Sequence, residues 1–321
     1  MRTPWWTAPV AAAALLLTGC ASDPAVPSES SASPAPASSG PLLLGPVGLA
    51  DVDGTAWAAW SASGVVTPLD ADGRPGEPVP VGDTPLRMAV LDGSLWVTTI
   101  ADGRLTEVDP ATGTVGRSVD VGEEPEGVVA FDGHLFVVLQ KEAALVEVDP
   151  GSGEIVSRYD VGGAPRLVAA GPDSLFVTDF GGSRVVRVTP ATGKVTASKV
   201  SCPGAQDVVY VDGTVYASCM EDDIVLGLDP DSLAEVARFA VPGDPDGLAA
   251  GVAGSLLVGL QEGPGAVYVD LGSGAVSPLY DAAAGSLRDR SNVDVLQLVG
   301  SALVSDALAD TVVVLSVEGA D

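Results

Sequence analysis

The side chains that most often do chemistry are scarce in this chain. It has one histidine, three cysteines, and 43 acidic against 15 basic residues, for a formal net charge of −28. Nucleophilic catalysis needs a base beside the nucleophile, and histidine is the usual one. His134 follows directly on Asp132-Gly133, a pair that reads as a tight turn, so a surface position is expected for it. No glycine-rich phosphate loop leads from a strand into a helix, and no Cys-x-x-Cys or His-x-x-x-His spacing occurs. What remains is a set of polar residues that recur at one place in the sequence: Arg87, Glu126, Arg166, Gln206, Asp207, Asp246 and Asp294. A second set, Asp102, Glu142, Asp179, the run Glu221-Asp222-Asp223, Glu262, Asp306 and Asp310, falls in loops that would share a rim with the first. Mixed charges suit a zwitterion, a sugar or a peptide. Oxygen-rich loops suit a hard cation such as calcium. Loops are also polar simply because they are wet. The three readings stay open here.

The charge balance removes one class of partner. Nucleic-acid binding depends on clustered Lys and Arg that displace counterions from phosphates, and this chain is the reverse of that. An anionic membrane surface would repel it as well, so attachment to a membrane requires something other than charge. Composition also indicates the fold class. Hydrophobic residues make up 46% of a chain with 39 Gly and 25 Pro, which points to many short strands joined by tight turns.

The N-terminus differs from the rest. Arg2 precedes a short apolar run at 8–17, too short to cross a bilayer comfortably, which reads as a signal peptide. It ends in Leu17-Thr18-Gly19-Cys20, which resembles a bacterial lipobox. The resemblance implies cleavage before Cys20 and lipidation of its sulfur, with a diacylglyceryl group and palmitate. The chain would then sit on the outer face of the cell membrane. Residues 20–40 are almost all Ser, Pro and Ala, a composition that cannot build a core and serves as a tether. Three segments are therefore expected: a signal peptide at 1–19, a tether at 20–40 and a folded domain at 41–321.

The elements that must position the polar set come from an internal repeat. Val108-Asp109-Pro110, Val148-Asp149-Pro150, Val188-Thr189-Pro190 and Leu228-Asp229-Pro230 recur every 40 residues. A second marker, typified by Asp53-Gly54, Asp92-Gly93, Asp132-Gly133 and Asp212-Gly213, gives seven units. Each unit reads as four short strands, none able to bury its faces alone. Radial stacking of antiparallel sheets is the solution at this period, so the expectation is an all-β, seven-bladed β-propeller. Trp57, Trp96, Phe136, Phe176, Tyr216 and Leu257 hold one position on the second strand and are expected between blades. The last unit offers only three strands, and residues 41–44 are expected to supply the fourth and close the ring. Residues 282–291 fit no repeat and read as an inserted loop. With Asp212-Gly213 as the turn, Gln206 would face Cys219, with Cys202 in the loop before it. A disulfide is expected between the two cysteines.

The unit VGGAPRLVAAGPDSLFVTDFGGSRVVRVTPATGKVTASKV, with Phe176-Val177-Thr178-Asp179 at its centre, resembles the YVTN-type β-propeller repeat. The resemblance is good over 46–281 and weak over 293–318. It implies a surface or periplasmic binding protein and carries no assigned chemistry. Seven-bladed lyases of the streptogramin-inactivating type have a similar architecture but depend on more than one His. The expected function is a monomeric, lipid-anchored binding or scaffold protein with a small-molecule or protein ligand. The alternative is a propeller enzyme, whether hydrolase, lyase or quinone-dependent oxidoreductase, working through carboxylates at the channel mouth.

Overall fold

The computed structural model describes residues 43–263, 265–280 and 292–317. The expected signal peptide, Cys20, the tether and the segment 282–291 lie outside the described residues. Within them, antiparallel strands pair into seven sheets that follow one another along the chain at 46–80, 85–120, 125–160, 165–197, 205–240, 245–280 and 295–316. These are the seven expected blades, each starting on the axis and running outward. Blade three shows the pattern: Pro125–Phe131, His134–Leu139, Ala144–Val148 and Ile155–Asp160. Asp132 and Gly133 join the first two strands with φ of 49° and 75°. That left-handed pair gives a two-residue hairpin the same twist as its strands, and Gly reaches it without strain.

Each blade is held to the next by its own apolar seam. Seven hydrophobic clusters of buried residues occur, one in each seam between neighbouring blades. Trp57 packs with Leu95 and Val97 of blade two, Trp96 with Leu135 and Val137 of blade three, and so on around the ring. The aromatic column expected on the second strand lies in these seams, all six members buried. Because every blade has two such faces, no blade can leave without exposing two seams, and the ring behaves as one cooperative unit.

At the closure of the ring the described half of the expected 41–44 strand is not a strand. Among the described residues blade seven has three strands, Val295–Leu298, Ser301–Asp306 and Thr311–Ser316. Leu43 and Leu44 do not form a fourth strand with it, and Pro41 and Leu42 lie outside the described residues. The amides of this segment are taken elsewhere: Leu44 N–H donates to Ser63 Oγ and Gly45 N–H to Asp310 Oδ1, both at 2.8 Å. These bonds turn Leu43 into the seam between blades seven and one, beside Trp60, Leu303 and Val312. The first and last blades also meet directly through their innermost strands.

Cys202 and Cys219 form the expected disulfide, with Cα atoms 4.9 Å apart. The residue facing Cys219 is Ala205 and not Gln206, because the first strand of blade five carries a bulge between Ala205 and Val208. The bond closes a loop of 17 residues, for which the chain-entropy account gives about 3 kcal/mol. The double variant Cys202→Ala/Cys219→Ala is therefore expected to unfold with a stability lowered by roughly 2–4 kcal/mol in non-reducing denaturant titrations. An unchanged midpoint would show that the cross-link adds nothing to a ring already closed by its seams.

Candidate functional site

Six of the seven innermost strands start with the same irregularity. In blades one to six the pairing of first and second strands slips just after the first residue, at positions such as Pro85/Met88, Pro165/Val168 and Pro245/Leu248. A bulge sets two residues against one, so two consecutive side chains are delivered where alternation would allow one. Here the pairs are Leu86-Arg87, Glu126-Gly127, Arg166-Leu167, Gln206-Asp207 and Asp246-Gly247, and Asp294 follows Val293 at the same place in blade seven. This is why the polar set converges on the axis.

Six of the seven expected residues form one charged layer. The Arg87 guanidinium reaches across blade one to the Val47 carbonyl and lies 3.3 Å from Asp294 Oδ2 of blade seven. It also feels the charges of Asp207, Asp246 and Glu126. Arg166 Nε lies 2.9 Å from Glu126 Oε1, in an ion pair lacking the alignment of a hydrogen bond, and its guanidinium sits 5.8 Å over the Phe180 ring. Gln140 donates to Glu126 Oε2 at 3.0 Å and Gln261 to Asp246 Oδ2 at 2.9 Å. Gln206 is buried but stands apart from the charges, its amide directed at the Met220 sulfur.

The carboxylates are committed to main chain as well as to arginine. Asp207 accepts Val208 N–H at 2.7 Å and, across the seam, Leu248 N–H at 2.8 Å. Asp246 accepts Val293 N–H at 2.7 Å, and Asp294 accepts Leu49 N–H at 2.7 Å and Val295 N–H at 3.0 Å. The second strands contribute hydroxyls that the sequence reading missed. Thr98, Thr178 and Ser218 each take an N–H from the bulge of their own blade and donate to the carbonyl of Glu126, Gln206 or Asp246 in the next. Their signal is their place in the repeat, two residues after the aromatic position of their own second strand (Trp96, Phe176 and Tyr216).

Burial dominates the acid–base properties of three carboxyls in this layer. It pushes the carboxyls of Glu126 and Asp246 up, against the pull of Arg166 and Arg87 on the first and of Val293 N–H and Gln261 on the second. Burial also raises Asp207, with the nearby Asp294 charge adding to it, to about 7. For Arg87 burial acts to lower the pKa, but the surrounding carboxylates outweigh it and the net direction is up.

A cavity of about 380 Å³ opens beside the layer. Arg87, Asp207 and Asp294 form its polar end, and Leu49, Val128, Val168, Leu248 and Val295 are among its apolar walls. It runs along the first strands toward Val209, Ala250 and Gln297, near the hairpins that join first to second strands. The mouth was expected on the opposite, loop side. Glu126, Arg166, Gln206 and Asp246, one step closer to the loops, do not line this cavity.

Most of the acidic rim has a structural explanation, Glu221, Asp222 and Glu262 excepted. Asp102, Glu142 and Asp179 accept N–H groups from the loop leading into their own blade, at Asp83, Glu123 and Ala164. Asp223 accepts those of Gly243 and Asp244, and Asp306 those of Leu308 and Ala309. Carboxylates spent on loop amides gather on one face without converging on a ligand. Among the described residues no group of three or more His, Cys, Asp or Glu side chains is arranged to hold a metal ion. His134 pairs at 2.6 Å with Glu147 on the second and third strands of blade three, away from the axis.

Comparison with known proteins gives architecture. No protein-family model matches the chain, and no curated protein matches it. Among solved structures it is similar to a streptogramin B lyase, at 16% identity over 86% of this chain and 94% of that one, with a TM-score of 0.74. It is similar to the hydrazine synthase of Kuenenia stuttgartiensis at 17% identity, covering 88% and 98% of the two chains, with a TM-score of 0.68. U3-55K gives 10% identity, 85% and 96% coverage and a TM-score of 0.70. At such identities the likeness shows the fold alone, and the class defined is that of the seven-bladed β-propellers.

A test of the layer follows from Asp207. Its pKa in the fold, about 7, lies above the ordinary unfolded value of about 4. Between these values the folded state holds a proton that the unfolded state has released, so stability falls as pH rises through the window. Asp207→Asn cannot titrate, and its denaturation midpoint is expected to fall less between about pH 5 and pH 8 than that of the unchanged protein. Parallel pH profiles would show that Asp207 is ionised throughout.

Proposed function

We propose that this chain is a lipid-anchored, extracytoplasmic binding protein that uses the axial cavity of its propeller to hold a small ligand. The observation that carries the reading is the cavity itself: apolar walls from blades all around the ring, ending in Arg87, Asp207 and Asp294. A concave, mostly apolar site with a few convergent polar groups is the usual form of a small-molecule site. The lipobox-like Leu17-Thr18-Gly19-Cys20, the tether composition and the disulfide support an address outside the cytoplasm. The −28 charge supports a domain held near a membrane by lipid and kept off its surface by repulsion.

A second reading, an enzyme working through carboxylates, draws on the raised Asp207 beside the cavity. It is the weaker of the two because both Asp207 oxygens already accept main-chain N–H groups, that of Val208 in its own strand and that of Leu248 across the seam.

The anchor is tested by expressing the full chain in a bacterial host with labelled palmitate. The unchanged protein is expected to carry label and to sediment with membranes. Cys20→Ser is expected to lose the label and move to the soluble fraction. A Cys20→Ser protein that stays labelled and membrane-bound would defeat the lipid-anchor reading.

A further inference from the structure

The cavity on the hairpin side has a polar end that is only partly used by the protein. Arg87 spends Nη1 on the Val47 carbonyl and on Asp294, while among the described residues Nε and Nη2 have no partner. The guanidinium fork is planar and matches a carboxylate with two parallel bonds. Asp207 takes one N–H on each oxygen, and a carboxylate oxygen has room for a second donor. Both side chains line the same cavity. The polar end therefore offers unused donors from one group and unused acceptors from another.

Charge and shape narrow what can fill it. An anion satisfying Arg87 alone would face Asp207 and Asp294 at the same wall, with Asp246 and Glu126 behind, and like charges in a water-poor site repel strongly. A simple cation would suit the carboxylates but leave the free donors of Arg87 unmet. A sugar would set hydroxyls against Val128, Val168 and Leu248, which give them nothing to bond with. A compact zwitterion with an apolar body satisfies all three parts of the wall. The volume of about 380 Å³ lies within the range of small-molecule sites.

We infer that the axial cavity binds a small zwitterion of the hydrophobic α-amino acid class, its carboxylate on Arg87, its ammonium on Asp207 and its side chain against Val128, Val168 and Leu248. This rests on the reading of the protein as a binding protein and specifies what that site takes. The charged groups that face the ligand's head are Arg87 from blade two, Asp207 from blade five and Asp294 from blade seven, with Glu126 and Asp246 of the same layer one step closer to the loops and off the cavity wall.

The experiment is calorimetric titration of the full chain with leucine, with leucine amide, with N-acetyl-leucine and with unsubstituted isoleucine, in parallel with two variants. Leucine and isoleucine are expected to bind with a 1:1 stoichiometry. Removing either charge, in the amide or the acetyl compound, is expected to weaken binding roughly ten- to hundredfold, the usual effect of losing a charge-assisted bond. Asp207→Asn should cost a similar factor for leucine and much less for N-acetyl-leucine, which has no ammonium to lose. Ala250→Trp is the second variant. Ala250 is exposed and lines the cavity, so a large side chain there blocks the site without disturbing the charged layer, and binding should be abolished in a protein that melts as before. Equal binding of all four compounds, or binding that survives Ala250→Trp, would overturn the proposal. Binding of another class, detected with a small-molecule panel and lost in Ala250→Trp, would overturn the zwitterion and leave the binding-protein reading standing. No saturable binding of any compound would overturn both.

Discussion

Seven strand edges meet on the axis of this molecule, and none of them can pair with another as a sheet. In each blade the second strand satisfies one side of the first, while the other side faces inward to the axis. A buried N–H without a partner costs free energy comparable to a lost hydrogen bond, so the inner edges must find acceptors from somewhere. Asp207, Asp246 and Asp294 supply them, accepting Leu248, Val293 and Leu49 N–H from the neighbouring blade. Seen this way, carboxylates lie on the axis first as acceptors for main chain. Their chemistry is secondary.

Using carboxylates for that purpose creates a second demand. Several buried negative charges close together repel, and burial penalises each one. The chain answers with Arg87 and Arg166, the two guanidinium groups in the layer, and with a proton on Asp207 over part of the pH range. Arg87 is placed to serve several carboxylates at once, since its side chain crosses from blade two past blade one to Asp294 of blade seven. Arg166 acts more locally on Glu126. The result is a layer that holds the ring together and leaves residual polarity facing the cavity. Binding and closure draw on the same side chains.

The repeat made most of the fold legible. Asp-Gly pairs and the recurrent Val-Asp-Pro give the blade count and the strand order, because a hairpin and a Pro turn each impose a local backbone geometry that only certain residues meet. The polar set was also legible as a set, since its members share a position in the repeat. Three things were not. The bulge was invisible because it is a slip in pairing, with no residue type of its own, and it moved the partner of Cys219 from Gln206 to Ala205. The segment 41–44 was read as a strand from its apolar character, but in its described half the Leu44 amide is claimed by Ser63, the next amide, of Gly45, by Asp310, and Leu43 packs into a seam. The rim acids looked like a binding surface because a carboxylate that caps a loop and one that awaits a ligand are the same residue in a sequence.

The bulges themselves obey a rule that joins sequence to closure. Where the second bulge residue carries a side chain, at Arg87, Leu167, Asp207 and Asp294, the second strand has a hydroxyl eleven positions later, at Thr98, Thr178, Ser218 and Ser305. That hydroxyl takes the N–H which the slip has freed. Where the residue is glycine, at Gly48, Gly127 and Gly247, the corresponding positions are Ala59, Val138 and, one residue further on in blade six, Gly259, with no hydroxyl. Glycine solves the problem differently, by letting the strand lie directly on the next blade. A Cβ at Gly48 would fall 1.9 Å from the Leu86 carbonyl oxygen, and one at Gly247 would fall 2.5 Å from that of Val293, to which Gly247 N–H donates at 3.0 Å. Close approach and hydroxyl relay are thus alternative ways to satisfy one inner edge, and every seam uses one of them or an aspartate. The side-chain-bearing positions are also the ones free to line the cavity with charge, so the choice made at each bulge decides which blades can face a ligand.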